Sequence, residues 1–286
     1  MPDLSGKERP MKSTMRLDKL LGNMGLGTRS SLKAAVKQGA VQVNGQRAKD
    51  PGMQIDPLKD RVEWNGEEVR FRETIYVMLN KPAGVVSATE DTRDRTVLDL
   101  LNDEMKARAL FPVGRLDKDT EGLLLMTNDG KLAHDLLSPR KHVPKTYRAL
   151  VAGSVGEEEA AALRRGVELD DGYVTLPAEL RVLATAPSSE ADRHPDMAEP
   201  FARMQTGRIE RTQAADAVQW IELTIREGKY HQVKRMFEAV GSSVMYLRRV
   251  SMGPLQLDPA LPFGAWRELT DAELDSVRRY RAAGTD

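Results

Sequence analysis

The chain has 286 residues, a mass of 31.8 kDa and 40% apolar side chains, with 43 basic residues balanced by 43 acidic ones. That length suits about two domains and the apolar fraction excludes wholesale disorder, while the absence of cysteine excludes disulfides, thiolate metal sites and thiol catalysis. The zero net charge does not exclude a polyanionic partner, because the charge is segregated: residues 11–49 hold eight Lys/Arg and one acid, whereas residues 151–219 hold seven bases and thirteen acids.

Residues 1–14 read as a flexible tail without the apolar core of a signal peptide. No apolar run approaches the roughly 18 residues of a membrane span, so a cytoplasmic protein without a membrane partner is expected. Leu17, Leu20, Leu21 and Met24 fall at helical spacing, and Gly25-Leu26-Gly27 ends that helix. Thr28 or Ser30 can cap a second helix that buries Leu32, Ala35 and Val36. Val41-Gln42-Val43 alternates as a strand, and Asn44-Gly45 is a type I′ hairpin signal. A second hairpin is expected at Asn65-Gly66, between strands at 61–64 and 68–71. Residues 15–74 therefore form one small domain of two helices and a sheet.

A new apolar strand begins at residues 74–79, so a second domain is placed over 75–280. Its strands are expected at 122–127, 146–151, 219–225 and 244–250. Its helices are expected at 97–101, 131–137, 157–165 and 231–240. Strands and helices mix without a βαβ rhythm, which predicts an α+β fold. Residues 186–216, rich in Ala, Ser, Pro and charge, read as a mobile insertion. The alternative is a short amphipathic helix near Pro200 to Met204, with Met197, Phe201, Met204 and Ile209 as its few large apolar residues.

Four constellations could carry chemistry. Arg16, Lys19, Arg29, Lys33 and Lys37 lie on or beside the first two helices, and Lys33 and Lys37 share a face; such a surface suits phosphates, or is simply solvated. Gly114-Arg115-Leu116-Asp117-Lys118-Asp119-Thr120-Glu121-Gly122 is a polar loop with three acids running into an apolar strand. It holds carboxylates rigidly at a core edge, or it is a turn whose Asp and Thr satisfy backbone groups. Tyr147 stands beside Arg140, Lys141, Lys145 and Arg148; it is a base-stacking residue or half-buried strand packing. Glu227-Gly228-Lys229-Tyr230-His231-Gln232-Val233-Lys234 joins a strand end to a helix start. There Lys234 is a site cation or a solvated one, and His231 a capping or hydrogen-bonding residue. The four His (His134, His142, His194, His231) lack HxxxH spacing, so no metal site is expected.

These pieces occur together and in order. RLDKLL, the Ser/Arg-bearing second helix and VQVNGQ resemble the S4 RNA-binding module. MLNKPAGVVSAT (78–89), GRLDKDTEGLLLMTNDG (114–130), KTYRALV (145–151), EGKYHQVKRMF (227–237) and LRRVSMGPLQL (247–257) resemble the pseudouridine synthases of the RsuA type, which act on ribosomal RNA. The resemblance spans most of residues 15–275 and is carried above all by the segment around Asp117. It implies a mixed, largely antiparallel catalytic sheet. HDLLSPRKHVPKTY (134–147) and EGKYHQVKRMF look most like the enzymes of small-subunit (16S) rRNA. The tail 1–14 and the insertion 186–216 depart from the compact family pattern.

The resemblance also implies roles. Asp117 matches the essential aspartate, and Lys234 the basic residue that pairs with it. Tyr147 matches the tyrosine that stacks on the target base. Arg115 matches an arginine associated with holding the place of the flipped nucleotide. Val233 and Leu247 match apolar positions lining the base pocket. The S4-like bases, with Arg140, Lys141 and Lys145, would contact phosphates. Pseudouridine formation cleaves N1–C1′ and rejoins the uracil through C5, so no cofactor is needed. Asp117 would attack C1′ of the ribose or C6 of the base. A monomer acting on rRNA, or on a partly assembled small subunit, is the expected arrangement. Large-subunit rRNA is the close alternative. A catalytically silent assembly factor would bind RNA without changing uridine, and a nucleoside hydrolase would release uracil but normally needs a second paired carboxylate.

Overall fold

The computed structural model describes residues 14–57, 59–69, 74–204 and 215–283. The chain divides into two compact units: residues 1–75 with 101–110, and residues 76–100 with 111–286.

The first unit begins with the short strand β1 (Met15–Arg16), then α1 (Leu17–Asn23) and α2 (Arg29–Gln38). Thr28 is the cap of α2: its Oγ1 accepts the Ser31 N–H at 3.3 Å. Gly39, at φ 87°, ends the helix in a left-handed residue that a Cβ would strain. Four strands, β2 (Val41–Val43), β3 (Gln46–Arg47), β5 (Val62–Trp64) and β6 (Glu67–Glu68), form a sheet in the order β3-β2-β5-β6. Strand β4 (Gln54–Ile55) pairs with β1 instead. Asn44 and Gly45 (φ 52° and 76°) and Asn65 and Gly66 (φ 51° and 85°) supply the consecutive positive φ values of the two hairpin turns. The strand expected at 68–71 starts one residue earlier, and residues 70 and 71 lie outside the described set. Leu17, Leu20, Leu21, Leu32 and Val36 pack on Val41, Val43, Ile55 and Val62. Each such buried side chain contributes about 1.5–3 kcal/mol. A helix not anticipated, α3 (Asp103–Ala107), joins this unit, and Asn102 caps it through the Met105 N–H.

The second unit carries a nine-stranded mixed sheet among the described residues. Its main path runs through β11 (Glu179–Pro187), β12 (Ala217–Ile225), β10 (Lys145–Ala152), β13 (Ser243–Met252), β9 (Glu121–Thr127), β7 (Tyr76–Lys81) and β15 (Trp266–Glu268), in that order. Strand β8 (Phe111–Pro112) adds to β9, and β14 (Leu255–Gln256) to β13. The β13–β9 pairing is parallel and the others are antiparallel, as the α+β reading expects. Helices α4 (Gly130–Leu137), α5 (Glu157–Arg165), α6 (Ala198–Ala202), α7 (Gln232–Ala239) and α8 (Asp271–Ala283) complete the unit. The helix expected at 97–101 is a single 3-10 turn, Val97–Leu100.

The segment read as a mobile insertion is largely structured up to Met204. Ala191, Met197, Phe201 and Met204 are buried against Leu150, Val218, Trp220 and Tyr246. Met197 stands at the cap of α6, Phe201 lies within it and Met204 follows it, so the short helix and its flanks supply the large buried side chains described in this polar stretch. Residues 205–214 lie outside the described set. Strand β11 escaped the sequence reading because it is an edge strand, burying only Leu180 and Ala186.

Candidate active site

The loop that carries Asp117 leads into β9 and is held by its main chain. Lys81, at the end of β7, is fully buried. Its ammonium donates to the carbonyls of Asp117 (3.0 Å), Thr120 (2.9 Å), Lys118 (3.3 Å) and Pro82 (3.1 Å). Burial pulls this lysine down to about 8, although the charges of Asp119, Glu121 and Asp117 oppose the shift. The Gly84 N–H donates to the Lys118 carbonyl at 2.7 Å, and the Ser87 hydroxyl donates to the Leu116 carbonyl at 2.9 Å. The loop is therefore clamped along its length while the Asp117 side chain stays 28% exposed. Gly122 follows at φ 102°, where a Cβ would collide with the Arg249 carbonyl oxygen; only glycine lets β9 approach β13 this closely.

Helix α7 delivers the partner charge. Lys234 Nζ lies 3.2 Å from Asp117 Oδ2 and 2.7 Å from Asp119 Oδ1, so one ammonium serves two carboxylates. His231, just before α7, places Nε2 3.6 Å from Asp117 Oδ1. It occupies the cap position at φ 49° and its side chain makes no capping hydrogen bond. Of the two readings of His231, capping by its side chain is not seen, although the residue stands at the cap position; its ring faces the aspartate instead. The helix start is braced by Glu227, which accepts from the Tyr173 hydroxyl (2.6 Å), the Leu176 N–H (2.8 Å) and Gln232 Nε2 (2.6 Å).

Tyr147 lies on β10, 8% exposed. It pairs with Arg249 on β13, and Arg249 pairs in turn with Gly122 on β9. Register thus places Tyr147 in the same row as the exit of the Asp117 loop. Leu247, opposite Ala149, shares the face of Tyr147, since strand residues two apart point the same way. Leu247 and Val233 are both buried, at 5% and 4% exposure. Arg115 is exposed and forms no ion pair among the described residues.

Residues 75–239 match the family described as RNA pseudouridylate synthase, and residues 15–62 match the S4 domain. The chain belongs to the RNA pseudouridine synthase family. It is 49% identical to the uncharacterised RNA pseudouridine synthase YtzG of Bacillus subtilis, over 94% of this chain and 100% of that protein. It is 38% identical to the ribosomal small subunit pseudouridine synthase A of Vibrio vulnificus, over 92% of this chain and 99% of that one. It is also 36% identical to the ribosomal large subunit pseudouridine synthase B of Bacillus subtilis, over 93% and 96%. A crystal structure of a pseudouridylate synthase matches at 34% identity and a TM-score of 0.57, over 92% of this chain and 99% of that one. The enzyme is thus an RsuA-type pseudouridine synthase with an S4 RNA-binding domain.

In the S4 domain of this synthase, Arg16, Lys19, Arg29, Lys33 and Lys37 are all exposed. Arg16, Lys19, Arg29 and Lys33 line a concave surface of about 580 Å³ together with Asn23 and Gly27. Arg16 is partly neutralised by Asp18 at 2.7 Å. The second basic stretch differs from expectation. Arg140 is exposed, but Lys141 is 18% exposed beside Asp135. Lys145 turns inward and donates to the Val143 carbonyl at 3.1 Å. Burial, reinforced by Arg249, brings Lys145 down to about 8 against the pull of Glu227. Of the four charges at 138–149, Arg140 and Arg148 are exposed, whereas Lys141 is drawn to Asp135 and Lys145 lies between β12 and β13.

Two residues of the candidate site stood in the quoted segments without a role assigned to them. One is Lys81, whose signal was a lone cation closing an apolar strand. The other is the buried carboxylate of Glu121, 2% exposed, which accepts from Arg203 and from the Tyr246 hydroxyl at 2.7 Å. Burial alone would raise this carboxyl, but Arg203, Tyr246 and the Ala83 N–H hold it below its ordinary value.

Proposed function

We propose that the synthase converts a uridine of small-subunit (16S) rRNA to pseudouridine, with Asp117 as nucleophile. One observation carries the catalytic part: the Asp117 carboxylate sits 3.2 Å from the Lys234 ammonium, on a loop whose carbonyls converge on buried Lys81. A nucleophilic carboxylate must stay ionised, and a neighbouring cation favours that form.

Asp117 attacks C1′ of the ribose or C6 of the uracil. By the first route uracil leaves C1′ as its N1 anion while an ester to Asp117 forms, the base turns within the pocket, and C5 displaces the carboxylate from C1′. By the second the C6 adduct carries the base through N1–C1′ cleavage and C5–C1′ bonding, and the C6–O bond then breaks to free Asp117. The proton on C5 leaves and N1 gains one, so nothing is added or lost overall. Tyr147 stacks on the uracil and assists removal of the C5 proton, while Val233 and Leu247 line the base. Arg115, exposed two residues before Asp117, holds the place of the extruded nucleotide. Extrusion costs a few kcal/mol, which phosphate contacts by the S4 bases offset.

The small-subunit substrate is supported by the segments 134–147 and 227–237 and by relatives named for that subunit at 36–38% identity. The large-subunit reading is favoured by the Bacillus relative named for that rRNA. We take a monomer acting in the cytoplasm on rRNA or a partly assembled small subunit as the working arrangement. The test is carbodiimide mapping of pseudouridine in both rRNAs of cells lacking the gene, complemented with wild type or Asp117→Asn. One small-subunit stop lost, and restored by wild type alone, is expected. A lost large-subunit stop would overturn the substrate, and rescue by Asp117→Asn would overturn the nucleophile.

A further inference from the structure

Tyr230 has the highest relative exposure, 75%, among the exposed large hydrophobic residues of the described set. Its backbone is nonetheless held on both sides. On one side the Lys229 N–H donates to Gln232 Oε1 at 2.9 Å. On the other, Arg235 donates to the Tyr230 carbonyl at 3.4 Å and is itself anchored by Asp171 at 2.8 Å. The ring lies parallel to the imidazole of His231, with centroids 3.8 Å apart and planes 18° apart. His231 is in turn fixed in a left-handed conformation that a residue with a side chain adopts only at a cost, and its Nε2 is 3.6 Å from Asp117. A flat, two-ring stack therefore runs from the reacting carboxylate outward into solvent.

An aromatic ring kept in water on a rigid backbone, beside an RNA-modifying centre, has the form of a stacking platform for a nucleobase. We infer that Tyr230 stacks against the base of a nucleotide neighbouring the reacting uridine and so helps fix the substrate's register at Asp117. The ligand class is a purine or pyrimidine ring of single-stranded or unstacked RNA. The inference rests on the reading of Asp117 as the reaction centre. It adds to that reading a base contact outside the pocket that Tyr147 serves. Of the two cations beside it, Lys229 is held 4.3 Å above the Tyr173 ring and Arg235 is paired with Asp170 and Asp171, so the platform offers a π-face rather than a phosphate contact.

The test measures kcat/KM and RNA affinity on a full-length small-subunit rRNA transcript for wild type, Tyr230→Ala, Tyr230→Phe and Asp117→Asn. Loss of one base–aromatic stack lowers kcat/KM by about tenfold. Tyr230→Ala is expected to show that loss, mainly in KM. Tyr230→Phe should stay within about twofold of wild type, because stacking needs the ring and not the hydroxyl. The dependence of affinity on salt should not change, since no charge is removed. Thermal melting should not change either, because the side chain is three-quarters exposed. Wild-type kinetics in Tyr230→Ala overturn the platform, as does a Phe variant as impaired as the Ala one. Unchanged turnover by the large-subunit rRNA transcript with Tyr230→Ala, after wild type has been found to prefer that transcript, would overturn it equally. Turnover by Asp117→Asn would instead overturn the reaction centre. A loss seen only in binding to a ribosomal protein added to the transcript would make Tyr230 a protein contact and overturn the stack.

Discussion

Arg203 grips Glu121 through two hydrogen bonds, Nε to Oε2 at 2.8 Å and Nη2 to Oε1 at 2.5 Å. The two residues are 82 positions apart, one within the segment that reads as an insertion and the other four residues beyond Asp117. Arg203 also lies over the Phe263 ring at 3.4 Å. Removing it leaves a carboxylate that is 2% exposed with only Tyr246 and a main-chain N–H.

Arg203→Ala is therefore expected to destabilise the synthase by about 3 kcal/mol, because an uncompensated buried charge is the costly outcome. The denaturant midpoint measures this. Arg203→Met with Glu121→Gln should recover much of the loss, since the charge is then gone from both partners. Because Glu121 is held below its ordinary value, its contribution is present above about pH 4.5 and is lost as the pH falls. A wild-type midpoint in the single variant would mean that water replaces the guanidinium.

Local features were legible in the chain, and long-range ones were not. The Thr28 cap and the two Asn-Gly turns are decided by neighbouring backbone, so residue type alone revealed them. The Asp117 loop was recognisable as a rigid polar segment, but its pairing with Lys234 came from family resemblance; spacing along the chain says nothing of residues 117 positions apart. Lys81 was invisible as a clamp because its acceptors are carbonyls, which carry no sequence signature. Lys145 looked like a surface base because composition does not reveal which strands cover a lysine stem.

The buried ammonium of Lys81 makes a prediction about pH. Lys81 and Lys145 both fall to about 8 in the folded chain, against 10.5 for a free lysine. Between those values the unfolded chain binds protons that the folded chain does not. Stability should therefore rise with pH across that window, by up to about 1.4 kcal/mol per pH unit for each group. Replacing either lysine with Met should flatten the slope. Lys81→Met should also lower kcat about 100-fold by releasing the loop that presents Asp117, while Lys145→Met should not. Equal kinetics in the two variants would mean that the carbonyl cluster does not position the aspartate.

The shared ammonium of Lys234 separates the two loop carboxylates. Lys234→Met is expected to lower kcat about 100-fold with little change in KM, as loss of a preorganised charge does. Asp119→Asn frees the same ammonium from its shorter contact and leaves it to Asp117. That variant should retain most activity, because the ammonium still faces Asp117. A loss as deep as that of Lys234→Met would assign Asp119 a direct part in the chemistry.

Lys33 and Lys37 are exposed on one face of α2, whereas Lys145 is half-buried with its ammonium on a carbonyl. Exposed bases that meet phosphates release counterions, and each contributes about 0.7–0.9 to the slope of log affinity against log salt. Charge reversal of Lys33 and Lys37 to Glu should weaken rRNA binding and flatten that slope by roughly two such increments. Lys145→Gln should leave the slope where it is. Filter binding or fluorescence anisotropy at a series of potassium chloride concentrations measures both. An unchanged slope in the double reversal would move the phosphate contacts elsewhere on the S4 domain. A flattened slope in Lys145→Gln would mean that this strand turns its lysine outward to meet RNA.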